Sequence, residues 1–261
     1  MSDFPFLQDS GLLRFLQERQ PIIILVRPQM GENIGATARA MLNCGLTQLR
    51  LVDPRDGWPN PAAVAMASGA DLVLDQLECF ETVEQAVSDC HQIYAATARL
   101  RDLEKDIVTP KTAVIQIEKS LKVKEKVAIL FGAERAGLSN EEVAFAHHIM
   151  SVPLNPDFKS LNLSQSVLIF CYEFFQNIIR TFNEDESVLK IVEGQEPKAP
   201  QGDIDNLLKR LIEQLNQRGF FVTEAQKPTM ILNLKNMFYR NHFTEQEVRT
   251  LHGIISTLIK S

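Results

Sequence analysis

Along the first two thirds of the chain, short β-branched apolar runs alternate with stretches whose apolar positions recur at helical spacing. Pro21-Ile22-Ile23-Ile24-Leu25-Val26 is apolar without a break, the pattern of a strand buried on both faces. A helix is predicted over residues 34–44, with Gly45 placed to close it. Leu49-Arg50-Leu51-Val52 is a second strand, and residues 61–68 make a short alanine-rich helix. Thr82-x-x-Gln85 is a capping box that opens a helix toward Cys90. Further strands are predicted at 92–96, 126–131 and 149–152. Between them, Thr109-Pro110 caps and starts a helix, and Ser139-x-x-Glu142 is a second capping box. A long amphipathic helix is expected from Leu161 to Arg180.

Strands separated by helices build a parallel sheet covered on both faces, so the fold class is α/β. Ligands of such sheets bind beyond the carboxyl ends of the strands. That directs attention to residues 27–39, 96–101, 132–137 and 153–162. The alternation stops near residue 182. Beyond it come Glu184-Asp185-Glu186, Gly194, Pro197 and Pro200, the composition of a linker. Three helices follow, over 204–218, 228–240 and 244–259, the last opened by the capping box Thr244-x-x-Glu247. The expected organisation is an α/β domain over 1–182, an acidic Pro/Gly linker over 183–201 and a small all-helical C-terminal domain over 202–261.

Composition narrows the function classes. With 261 residues and 45% hydrophobic positions the chain can bury a sizeable core. Its start carries Asp3, Asp9 and Glu18, unlike a signal peptide, and no uninterrupted apolar run reaches membrane-spanning length. A cytoplasmic protein is expected. The net charge of −6 argues against non-specific coating of nucleic acid. Only residues 200–261 are net basic, so any RNA would be met by local basic patches. Cys44, Cys79, Cys90 and Cys171 form no CxxC and read as reduced thiols, mostly in the core. His147-His148 is adjacent rather than one helical turn apart, and no metal is expected.

Three segments at strand ends could carry chemistry. The first is Pro28-Gln29-Met30-Gly31-Glu32-Asn33-Ile34-Gly35-Ala36-Thr37-Ala38-Arg39. A glycine-rich turn at a helix start can bind an anion, although a plain loop with Asn33 as N-cap and Arg39 in solvent explains it as well. It has neither the dinucleotide nor the P-loop fingerprint. The second is Gly132-Ala133-Glu134-Arg135-Ala136-Gly137-Leu138, where glycines let backbone approach a ligand closely; Glu134-Arg135 could instead be an exposed ion pair. The third is Val152-Pro153-Leu154-Asn155-Pro156-Asp157-Phe158-Lys159-Ser160-Leu161-Asn162-Leu163 at the mouth of the long helix. There Ser160 can cap the helix, and Asn162 can aim an amide outward.

Together these segments resemble the three motifs of the SpoU family of RNA methyltransferases, of the SPOUT type. The likeness lies in Asn33-Ile34-Gly35-Ala36-x-x-Arg39, in Gly132-x-Glu134-x-x-Gly137-Leu138, and in Pro153-x-Asn155-Pro156 followed by Ser160-Leu161-Asn162. Their order and spacing fit over roughly residues 20–182. Ala67-Ser68-Gly69-Ala70, Thr97-Ala98-Arg99 and the tail with Pro228 and Arg240 are similar to the TrmJ branch.

The resemblance implies a parallel sheet whose C-terminal part is threaded into a trefoil knot, with a helical extension. It implies S-adenosyl-L-methionine as cofactor, held by Ala96, Thr97, Ala98, Gly132, Val152, Lys159, Ser160 and Leu161. Lys159 departs from the small residue usual in that branch. The implied catalytic residues are Arg39, Ser160, Asn162, Asn33 and Glu134. A guanidinium does not normally give up its proton, so Arg39 reads as a positioner and charge stabiliser rather than a base, and Glu134 as a fixer of its loop. The implied reaction is methylation of the ribose 2′-hydroxyl of tRNA at nucleotide 32, cytidine or uridine, by a homodimer in which Arg39 serves the partner's site. Candidate phosphate contacts are Arg99, Arg101, Lys105, Arg210, Arg218, Lys227, Lys235 and Arg240. Alternatives are a SpoU enzyme acting on another tRNA position or on rRNA, and a non-catalytic RNA-binding protein of the same fold.

Overall fold

A computed structural model describes residues 15–98, 105–185, 197–221 and 223–260. Its strands are β1 (Ile22–Val26), β2 (Leu49–Val52), β3 (Glu78–Phe80), β4 (Gln92–Ala96), β5 (Asp106–Val108), β6 (Val127–Phe131) and β7 (His148–Met150). They form one parallel sheet in the order β3-β2-β1-β6-β4-β7-β5. The expected α/β class is therefore what the chain adopts. Strands β3 and β5 escape the hydrophobic pattern for a physical reason. Both are three-residue edge strands with two exposed positions, so neither carries an apolar run.

The helices are α1 (Gly31–Asn43), α2 (Pro61–Ala67), α3 (Asp71–Asp75), α4 (Val83–Val87), α5 (Pro110–Lys122), α6 (Asn140–Ala144), α7 (Leu163–Asp185), α8 (Gln201–Gln217), α9 (Lys227–Tyr239) and α10 (Glu245–Lys260). Several start as their sequence dictates. The hydroxyls of Thr82, Thr109 and Ser139 each accept the N–H three residues on. At Ser139 the reciprocal arm from Glu142 completes the capping box. α1 begins earlier than the pattern suggests. Its N-cap is Met30, with no side-chain cap, so Asn33 lies inside the first turn rather than before it.

Alternation along each strand divides the core in two. Ile23 and Leu25 of β1 join Leu49, Leu51, Ile129, Phe131 and Tyr94 on one face, against α1, α2, α5 and α7. Ile22, Ile24 and Val26 join Ile93, Ala95, Ala128, Leu130 and Ile149 on the other. This second face is covered by α4 and α6 and by the tail, through Ile204, Leu207, Leu208, Phe238, Tyr239, Val248 and Ile255. The C-terminal helices thus share a core with the sheet. The start of α8 is also pinned by backbone, since Gln201 N–H donates to the Cys90 carbonyl at 2.7 Å and Gly202 N–H to that of Ser88 at 2.9 Å. Among the described residues no helix is long and apolar enough to cross a membrane.

Candidate active site at the carboxyl ends of the strands

Strands β4, β6 and β7 lie side by side and end at Ala96, Phe131 and Met150. The chain that leaves each of them encloses a cavity of about 360 Å³, a size suited to a small-molecule ligand. It is lined by Ala96, Thr97 and Ala98 after β4, by residues 131–137 after β6, and by Met150, Val152, Leu154, Lys159, Ser160, Leu161, Leu163 and Ser166 from β7 into α7. All eight residues expected to hold a cofactor line this one cavity. Outside the three segments, sequence reasoning missed Met150 and Ser166. Ser166 could have been found from the helical period, because its hydroxyl donates to the Asn162 carbonyl one turn back, at 3.1 Å.

The loop after β6 closes on itself. Gly137 N–H donates to the Ala133 carbonyl at 2.7 Å, and Gly137 takes φ +66°. A Cβ at Gly132 would lie 2.2 Å from the Gly137 carbonyl carbon, so only glycine lets the loop fold this tightly under the cavity. The second glycine of the first segment has a different task from the anion-binding turn it suggests. Gly35 lies within α1, where a Cβ would meet the Ala63 carbonyl oxygen of α2 at 2.1 Å. It permits a close helix crossing.

One polar network joins the three segments. Glu134 accepts the Gln29 N–H at 2.8 Å on one oxygen and the Asn33 side-chain amide at 2.7 Å on the other. Asn33 in turn accepts the Asn162 amide at 2.9 Å. Glu134 is therefore not paired with Arg135. Asn162 also caps α7, its Oδ1 accepting from Ser164 N–H at 2.9 Å and Ser164 hydroxyl at 2.6 Å. That corrects the expectation that Ser160 caps the helix and that the Asn162 amide points outward: helix α7 starts at Leu163, two residues later than expected, which hands the cap to Asn162. Ser160 is left exposed in the cavity wall.

Arg39 stands apart from this set. It lies on the exposed stripe of α1 with Glu32 and Asn43 and has no hydrogen-bond or ion-pair partner among the described residues. It does not line the cavity. The candidate phosphate contacts are dispersed. Arg99 and Arg101 lie outside the described residues. Lys105 is a correction: its ammonium donates to the carbonyls of Ala144, at 2.8 Å, and Ala146, and burial pushes its pKa down to about 8. An ammonium spent on two backbone acceptors at the end of α6 is not presented to phosphate. Arg210 bonds Ser256 at 2.8 Å and the His252 carbonyl, tying α8 to α10. Lys227 lies near Phe221 and Glu224, and Lys235 over the Phe145 ring at 5.6 Å. Arg218 and Arg240 are exposed. Among the described residues no cluster of three His, Cys, Asp or Glu is placed to hold a metal.

Residues 20–172 match the model of the SpoU rRNA Methylase family. A Photorhabdus laumondii protein named tRNA (cytidine/uridine-2'-O-)-methyltransferase TrmJ is 33% identical over 91% of this chain and 96% of its own. An uncharacterized tRNA/rRNA methyltransferase of Haemophilus influenzae is 32% identical over 91% of this chain and 94% of its own. Among solved structures, TrmJ from Z. mobilis ZM4 superposes with a TM-score of 0.81 at 45% identity, covering 92% of this chain and 99% of that one.

Proposed function

The chain belongs to the SpoU rRNA methylase family, and from that premise we propose that it transfers a methyl group from S-adenosyl-L-methionine to a ribose 2′-hydroxyl of tRNA, at cytidine or uridine 32. The observation that carries this reading is the cavity lined by the second and third motif segments, to which the first is fastened by the Asn33–Glu134–Asn162 network. The reading includes the knotted threading, a cytoplasmic setting and a homodimer.

The residues present fit the cofactor. The small residues Ala96, Ala98, Gly132, Ala133, Ala136 and Gly137 line the cavity and leave their backbone within reach of a ligand, and Phe131, Met150, Leu161 and Leu163 supply apolar wall. Ala96–Ala98, Gly132, Val152 and Lys159–Leu161 would hold it. When bound, S-adenosyl-L-methionine supplies an electrophilic methyl group on a sulfonium. The chain must place the ribose oxygen in line with that methyl and stabilise charge as the hydroxyl proton leaves. Ser160, exposed in the wall, offers a hydroxyl to orient the ribose. Glu134 uses both oxygens as acceptors, so it positions the loop and is not a free base. Arg39, uncommitted among the described residues, supplies a fixed positive charge to RNA phosphate or developing alkoxide in the site of a second copy. RNA is the substrate because DNA lacks the 2′-hydroxyl.

The test is methylation of unmodified tRNA by the purified protein, followed by nucleoside mapping with mass spectrometry. A 2′-O-methyl at nucleotide 32 is expected. A methyl group elsewhere in tRNA, or only in rRNA, replaces the assigned position; none at all, with cofactor present, sinks the enzymatic reading.

A further inference from the structure

The loop from β7 to α7 forms one wall of the cavity, with Leu154, Lys159, Ser160 and Leu161 facing in. Phe158 lies on the same loop, next to Lys159, and is 73% exposed, more than any other large apolar side chain among the described residues. The ring is held out on a built turn. Asn155 Oδ1 accepts the Asp157 N–H at 3.0 Å, and the Asn155 carbonyl accepts the Phe158 N–H at 3.0 Å. Downstream, the cap and amide of Asn162 fix the other end of the loop to α7 and α1. Displaying an aromatic ring in water on a fixed turn gives the fold nothing, because burial is what stabilises such a ring. Beside a site for a ribose, it is the arrangement that stacking on an unpaired base requires. The next residue, Lys159, is exposed and has no ion-pair partner among the described residues, so its charge is available to phosphate.

We infer that Phe158 is a positioning residue that stacks on a base of the RNA, at or next to the methylated nucleotide, while Lys159 pairs with the adjoining phosphate. This rests on the RNA-methylating reading of the site. Every base has a π face, so the ring sets the register of the strand on the cavity rather than choosing between pyrimidines. Asp157, exposed on the same turn, is unsuited to phosphate, which leaves Lys159 as the cation of this loop.

Steady-state methylation of an unmodified tRNA transcript is compared for the wild type, Phe158→Leu, Phe158→Tyr and Lys159→Ser. Cofactor affinity by calorimetry and mass by light scattering are measured in parallel. Phe158→Leu keeps apolar bulk but loses the ring, and is expected to raise KM for tRNA roughly 10-fold with a smaller change in kcat. Phe158→Tyr is expected to restore KM to within about 2-fold. Lys159→Ser is expected to lower the salt dependence of tRNA binding by about one phosphate contact. In both Phe158 variants cofactor affinity and mass stay unchanged. The inference is overturned if the Leu variant keeps the wild-type KM, if Leu and Tyr fail alike, if the Leu variant weakens cofactor binding, or if it changes the mass. Wild-type protein that does not methylate tRNA overturns the functional reading, and this inference with it; an active wild type with an unaffected Leu variant overturns the inference alone.

Discussion

Strands β4 and β7 end in two polar places that behave in opposite ways. Beyond their carboxyl ends, Glu134 in the cavity wall bonds Asn33, and Asn33 bonds Asn162. At their amino ends, polar rings are packed together as if apolar. His147 stacks on His242 at 5.1 Å, His148 on Tyr94 at 5.0 Å, and His148 lies 5.4 Å from His242. Ile93 N–H donates to His147 Nδ1 at 3.1 Å, and the Gln92 amide meets His242 Nδ1 at 3.0 Å. His242 comes from the α9–α10 connection, so this stack is a seam between tail and sheet. The same two strands thus hold an open site at one end and a closed joint at the other. The difference is solvent. Glu134 and Asn162 remain beside water and can serve a substrate, whereas His147, walled off between sheet and tail, can only hold the fold.

The contrast is broken most severely at Arg39. Arg39→Ala removes an exposed side chain with no hydrogen-bond or ion-pair partner among the described residues, so the unfolding midpoint and cofactor affinity should stay at wild-type values. The proposed chemistry should lose roughly 100- to 1,000-fold in kcat, the usual cost of one charge stabiliser. A loss of stability of similar weight, or full activity, would place Arg39 on the structural side of the comparison.

Asn162 sharpens it, because it belongs to both sides. Its Oδ1 caps α7 and its amide holds Asn33. Asn162→Ser keeps a capping oxygen but cannot donate an amide, and Asn162→Ala loses both functions. Both variants are expected to lose about 10-fold in kcat/KM, the worth of one ordering hydrogen bond. Only the alanine variant should also lose about 1 kcal/mol of stability, read from urea unfolding. Equal stability of the two would mean that the cap does not hold the helix start.

These two regions also differ in how far the sequence discloses them. The cavity was legible because its residues cluster at strand ends and repeat a family pattern, from Gly132 to Leu138 and from Pro153 to Asn162. What the motifs do not carry is who bonds whom. Ser160 reads as a cap by residue type, but the helix start two positions on gives that role to Asn162. Gly35 reads as part of a phosphate turn, but it is a crossing point with α2. Lys105 reads as an RNA contact until a fold brings the end of α6 within its reach. The seam was almost invisible, because His147 and His242 are 95 positions apart and nothing local marks them as partners. Covering of the sheet by the tail is likewise a long-range event, which is why the three helices read as a separate domain.

The seam provides the smallest expected effect and the one with a pH signature. Burial pushes the pKa of His147 well below its ordinary 6.5, with His242, His148, Lys105 and Lys198 adding to it. His148 is lowered by burial against the pull of Asp106, with Lys198 and Lys105 also lowering it. Burial, Lys198 and His148 bring His242 down to about 4, against Glu125 and Asp106. Glu125 is itself paired with Lys198 at 3.1 Å. In the unfolded chain these rings take a proton near 6.5. Between that value and the lowered ones, the unfolded state binds more protons than the folded state, so stability falls as pH falls. Above about pH 7 the rings are neutral in both states and their contribution is flat. Urea midpoints measured from pH 7.5 to 4.5 should therefore drop most below 6.5. His242→Gln keeps a polar partner for Gln92 but cannot titrate. It should be slightly less stable at neutral pH, through the lost ring stack, and its acid slope should be shallower by up to one proton. Cofactor affinity at the far end of β4 and β7 should not follow this change at neutral pH. An unchanged slope would show that the seam tolerates charge, and the two ends of the strands would then differ in shape alone.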